Sequence, residues 1–129
     1  MAEFKLTLRL LPDRYSVCRL DADSDIPRWA TSGSFYSITR TQDERSVVCL
    51  EKNIPDDIRA EKDWRILQVA GPLDFSLTGI LAAISSILAA NEISLFAIST
   101  YDTDYILVKE KDIDRAIDAL RCEQYRIEV

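Results

Sequence analysis

"LTGILAAISSILAANEISLFAISTYDTDYILV", residues 77–108, holds a helix followed by two strands, and its reading decides the fold. Leu77, Ile80, Leu81, Ile84, Ile87 and Leu88 recur every three or four residues, which lines one face of a helix with apolar side chains. Asn91 stands where a left-handed residue would end that helix. Strands are then predicted at 94–100 and 104–109, with Tyr101, Asp102 and Thr103 as the tip between them. Upstream, Trp64 to Ala70 reads as a strand leading into the loop "GPLDFSLTG". Downstream, Ile113, Ala116, Ile117 and Leu120 mark a second helix over 112–121, and a last strand is expected at 123–129. The order is β-α-β-β-α-β, the split βαβ or ferredoxin-like α+β arrangement, with both helices on one face of an antiparallel sheet.

The first half reads differently. Phe4, Leu6, Leu8 and Leu10 alternate with polar residues, giving a strand with one buried face. "PDR" at 12–14 turns the chain, and 15–20 is expected to pair back as a second strand. Pro27 in "DADSDIPRWA" suits the first turn of a short helix capped by Ser24 or Asp25. Strands at 35–41 and 46–51 flank the polar connection "QDER". The polar stretch 52–63 marks the expected boundary, so 1–62 form a mostly β unit and 63–129 a complete βαββαβ unit.

Composition narrows the function classes. With 129 residues, 47% of them hydrophobic, the chain is sized for one ordinary domain or two small ones sharing a core. The N-terminus alternates instead of forming a continuous apolar block, and no apolar run is long enough to cross a bilayer, so a cytoplasmic protein without membrane partners is expected. Cys18, Cys49 and Cys122 form no CxxC pair, which argues against a disulfide framework and against zinc. A net charge of −6 opposes nucleic acid. Histidine is absent, removing the side chain most used for proton transfer near neutral pH, and no nucleophile motif is present; a non-enzyme without cofactors is the expectation. "DADSD" at 21–25 begins like a calcium loop, but Ile26 and Ser32 occupy the positions of its glycine and its last glutamate.

Two features invite a functional reading. Gly79 lies at a helix start, where a bare backbone and unpaired N–H groups at Thr78, Gly79, Ile80 and Leu81 can receive a carboxylate; equally, it can ease the loop into the helix. Asp74 and Thr78 can cap that helix, and Asp74 can also meet an ammonium group. The second feature is "STYDTD" at 99–104. Its hydroxyls and carboxylates are either turn chemistry or the polar rim of a binding site.

The run at 77–108, with "GPLDFSLTGI" before the helix and "STYDTDYILV" after it, resembles the ACT domain, the amino-acid-binding regulatory module. Its details look like the branch shared by small bacterial two-ACT proteins and the eukaryotic CASTOR arginine sensors. That resemblance covers 64–129 well, and it implies a tandem of units in which 1–62 is an abbreviated ACT-like unit and 63–129 a complete one. In the family, units pair and an amino acid sits at the interface between them. Carried over, Asp74, Thr78, Gly79, Ile80 and Leu81 form one wall of the site, and Thr100, Tyr101, Asp102, Thr103 and Asp104 line the facing rim. Asp104 matches by position the aspartate that meets a cationic side chain. The implied protein is a homodimeric, allosteric sensor or regulator of a partner protein, binding a free amino acid of cationic type. The alternative is an ACT module that binds no ligand and serves only for assembly.

Overall fold

The computed structural model describes residues 5–71 and 78–129. Among them are eight strands, β1 (Thr7–Leu10), β2 (Tyr15–Leu20), β3 (Ser37–Arg40), β4 (Arg45–Leu50), β5 (Ala60–Val69), β6 (Phe96–Ser99), β7 (Asp104–Lys109) and β8 (Arg126–Glu128). Two α-helices accompany them, α1 (Ile80–Ala90) and α2 (Ile113–Cys122). The predicted βαββαβ order from β5 to β8 is present. Two compact units form: residues 1–12 with 65–129, and residues 13–64.

This division differs from a cut at residue 62 because of where β1 pairs. Leu8 faces Val69 of β5 in antiparallel register and Ile127 of β8 in parallel register. β1 therefore inserts between the first and last strands of the βαββαβ unit, whose sheet runs β6-β7-β5-β1-β8. Among the described residues β1 and β2 do not pair as a hairpin. β2 instead pairs with β4 and with the first half of β5. The reason lies in β5, which starts at Ala60 instead of Trp64 and is ten residues long.

In the unit containing β1, the apolar alternation of that strand points Leu8 into the same core as Leu67, Val69, Ile106 and Val108. Ile84 and Leu88 of α1 and the inward stripe Ile113, Ala116, Ile117 and Leu120 of α2 close over them. Both helices end alike. After α1, Glu92 N–H donates to Ala89 O and Ile93 N–H to Leu88 O, and after α2 the same pair of bonds joins Gln124 to Arg121 and Tyr125 to Leu120. This double bond pattern closes a helix through one left-handed residue. That residue is Glu92, at φ 57°, and not Asn91, whose φ is −100°. Asn91 instead donates its side-chain amide to the Ile87 carbonyl at 2.9 Å.

In the unit formed by 13–64, the sheet runs β3-β4-β2-β5. Its core gathers Cys18, Val47 and Cys49 with Ala30, which belongs to a single 3-10 turn, Arg28–Thr31, capped at Pro27 instead of Ser24 or Asp25. Proline fits there because its missing N–H is one the turn would leave unpaired. β2 bulges against β5 between Tyr15 and Val17. Beside the bulge Asp63 holds a left-handed φ of 68°. One carboxylate oxygen of Glu51 accepts from both the buried Ser16 hydroxyl (3.1 Å) and Asp63 N–H (2.7 Å), fixing the irregular segment. The acidic loop at 21–25 is tied down by arginine, as Arg40 donates to Ala22 O (2.9 Å) and to the Asp23 carboxylate (3.1 Å).

Candidate functional site

Both candidate walls belong to the βαββαβ unit. The first starts where β5 ends. Ala70 N–H donates to Thr7 O at 2.8 Å, so the end of β5 is held by β1 as the chain leaves the sheet. Asp74 lies outside the described residues. Thr78 is exposed, and Gly79 takes the N-cap position of α1 with φ 79° and ψ −2°, a left-handed conformation. Among the described residues, a side chain there would meet nothing within 4 Å, so the glycine serves its backbone angle, not the packing of a neighbouring strand. The first intrahelical bond runs from Ala83 N–H to Gly79 O at 2.9 Å. The first-turn amides ahead of Ala83 have no acceptor in the helix, and Gly79 brings no side chain to supply one. Ile80 and Leu81 are half-buried, and both pack against the core below.

The second wall is the β6–β7 hairpin. Ser99 and Asp104 are the last cross-strand pair, and the Ser99 hydroxyl donates to the Asp104 carboxylate at 2.6 Å. Thr100 and Thr103 close the turn: Thr100 N–H donates to Thr103 O (2.8 Å), and the Thr100 hydroxyl donates to the same carbonyl (3.1 Å) while accepting from Thr103 N–H (3.3 Å). Tyr101 and Asp102 are left at the tip, with Tyr101 81% exposed. Thr103 differs from a rim-lining side chain. It is only 5% exposed, and its hydroxyl donates at 2.7 Å to the carbonyl of Val69, the last residue of β5.

Part of the polar character of 99–104 is therefore turn chemistry, satisfied within the hairpin. Ser99, Thr100, Tyr101 and Asp102 are exposed, Asp104 is half-buried, and Tyr101 and Asp102 stand at the tip. Such an arrangement supplies N–H donors at the helix start and carboxylate acceptors at the rim, the two kinds of group that an amino acid's carboxylate and amine require. Ser99 belongs to the polar stretch singled out in the sequence, but not to the residues that the family resemblance carries into the site. Its signal is the strand register, since a two-residue tip over 101–102 makes 99 and 104 direct partners.

Comparison with known proteins places the chain. The family model of the ACT domain matches residues 59–122, and a second model, described as an N-terminal domain, matches 13–57. The crystal structure of the Agrobacterium tumefaciens protein Atu0741 superposes with a TM-score of 0.89 at 39% identity, covering 95% of this chain and 91% of that one. The Rattus norvegicus "Cytosolic arginine sensor for mTORC1 subunit 1" is 32% identical over 114 residues, covering 77% of this chain and 34% of that protein. The chain thus spans about a third of the length of the curated relatives it matches. Aspartate kinase from Clostridium acetobutylicum shares the fold, with a TM-score of 0.63 at 14% identity, covering 88% of this chain and 33% of that one. The βαββαβ unit with its glycine-started helix is an ACT domain, and the chain belongs to the ACT domain family, related to the arginine sensors.

Proposed function

We propose that this protein is an amino-acid-binding regulatory module that works in trans on a partner protein, with the ligand held at an interface between ACT units of paired chains. The observation that carries the reading is the glycine-started helix α1 in the same unit as a carboxylate-bearing hairpin. The α-carboxylate is received by the amides of Thr78, Gly79, Ile80 and Leu81, and Asp74 takes the amine. Thr100, Tyr101, Asp102 and Asp104 form the facing rim, with Thr103 beneath them. A half-buried carboxylate at Asp104 favours a ligand with a cationic side chain, because an unpaired charge in a closing pocket is costly. The relative named a cytosolic arginine sensor supports both the ligand class and a cytoplasmic setting. In this reading the chain regulates and does not catalyse. Residues 13–64, with two short 3-10 turns and no α-helix, act as the abbreviated ACT-like unit, joined to a complete one.

Pairing of chains is supported by helix α1, "ILAAISSILAA", which has no charged residue; its outer positions Ala82, Ala83, Ser86, Ala89 and Ala90 are small. That face also supports the second reading, an ACT module that assembles with its partner and binds no amino acid. Thermal denaturation in the presence of each of the twenty amino acids separates the two. A ligand at about 100 times its Kd stabilises by about 2.7 kcal/mol, which raises the midpoint by roughly 5–15 °C for a chain of this size. A cationic amino acid is expected to do so, and no shift with any of them would leave the assembly module standing.

A further inference from the structure

We infer that Thr103 is a positioning residue of the amino-acid site: its buried hydroxyl latches the β6–β7 rim to the end of β5, so that the rim carboxylate is held in one place on the sheet. This rests on the reading above. The latch is built from both sides. On the β5 side, the Val69 carbonyl receives the Thr103 hydroxyl at 2.7 Å, while the next residue, Ala70, is anchored to β1 through its N–H to Thr7 O at 2.8 Å. On the hairpin side, the Thr103 backbone is fixed by Thr100, which donates to its carbonyl through both N–H (2.8 Å) and hydroxyl (3.1 Å). The rim carboxylate Asp104 follows directly in sequence and is oriented by the Ser99 hydroxyl at 2.6 Å.

Val69 is the last residue of β5, so the latch fixes the rim to the strand end that β1 also holds. Thr103 does this from inside, at 5% exposure, so it acts through the residues around it and not on the ligand. Threonine suits the place in two ways. Its methyl group fills buried space, and its hydroxyl supplies a donor to the Val69 carbonyl that valine, of nearly the same shape, lacks.

The test compares Thr103→Val and Thr103→Ser with the wild type in two measurements. Hydrogen exchange is followed at the amides of 70, 100 and 103, and binding of each amino acid is followed by calorimetry. Thr103→Val is expected to speed exchange at these amides at least tenfold and to weaken amino-acid binding at least tenfold, with the far-ultraviolet spectrum unchanged. Thr103→Ser, which restores the donor, is expected to stay within about threefold of wild type in both. Unchanged exchange in Thr103→Val overturns the latch whatever the ligand. So does altered exchange with unaltered binding, for positioning, or failure of serine to rescue. If the wild type binds none of the twenty amino acids, the sensor reading fails and the positioning role fails with it, while the exchange result still decides whether the hydroxyl links rim to strand.

Discussion

Gly79 and Gly33 show how one residue type meets different demands. Both are left-handed, at φ 79° and 86°, but an added Cβ at Gly79 meets no described residue within 4 Å, whereas at Gly33 it would lie 2.5 Å from Leu50 Cδ1. Gly79→Ala is therefore expected to cost about 1–2 kcal/mol by urea denaturation, the backbone term alone. Gly33→Ala adds the clash and should cost more. In the sequence Gly79 is visible as a glycine at a helix start; its angle is not, because φ is set by how the loop must enter the helix. Thiols and phenols follow burial in the same way. The neighbouring Cys18 thiol and burial push the Cys49 thiol far up, and neither cysteine is accessible, whereas Cys122 is exposed. One of the three cysteines should react quickly with a disulfide reagent in the native protein, and all three after unfolding in guanidinium. Burial, with Asp13 nearby, raises the Tyr15 phenol, and burial with Glu123 nearby raises that of Tyr125. The unfolded chain loses these protons first. Their stabilisation is complete below the ordinary phenol range and is lost as pH climbs through the raised values. Unfolding free energy should accordingly fall above about pH 10, less steeply in Tyr15→Phe.

At the scale of elements, α1 and α2 were legible from apolar spacing, and their ends were less so. Both close on a left-handed residue that is not glycine, Glu92 at φ 57° and Gln124 at φ 70°. Glycine is the usual occupant, and Asn91 looked the better candidate because asparagine tolerates that conformation. The residue after each turn goes into the core: Ile93 follows Glu92 and Tyr125 follows Gln124, and both are 3% exposed. Glu92→Gly and Gln124→Gly should each raise stability by about 0.5–1 kcal/mol, the relief of strain less the added freedom of the unfolded chain. A change in thermal midpoint measures this directly. The outer face of α1 yields an expectation about assembly. Ser86→Glu, in the middle of that uncharged face, should convert a dimer to a monomer in light scattering, while a wild type already monomeric at micromolar concentration would contradict pairing through α1.

For the whole molecule, the decisive event is the placement of β1. Leu8 is fully buried in the core made by 65–129, so Leu8→Ala is expected to cost about 2–5 kcal/mol and to loosen that unit. Hydrogen exchange resolved along the chain would show the loss in β5, β8 and the helices, with β3 and β4 spared. By itself the sequence determined the βαββαβ order, the apolar faces of both helices, the strand at β7 and the polar hairpin tip, because periodicity and turn chemistry are local. It also placed Gly79 and Asp104 in candidate positions through motif resemblance. Only the tertiary structure decided that β1 joins β5 and β8 instead of pairing with β2, that β5 begins at Ala60, and that Thr103 turns inward to the Val69 carbonyl. Strand pairing and the satisfaction of a buried carbonyl join residues far apart in the chain. An alternating pattern fixes which face of a strand is buried but not which strand lies beside it.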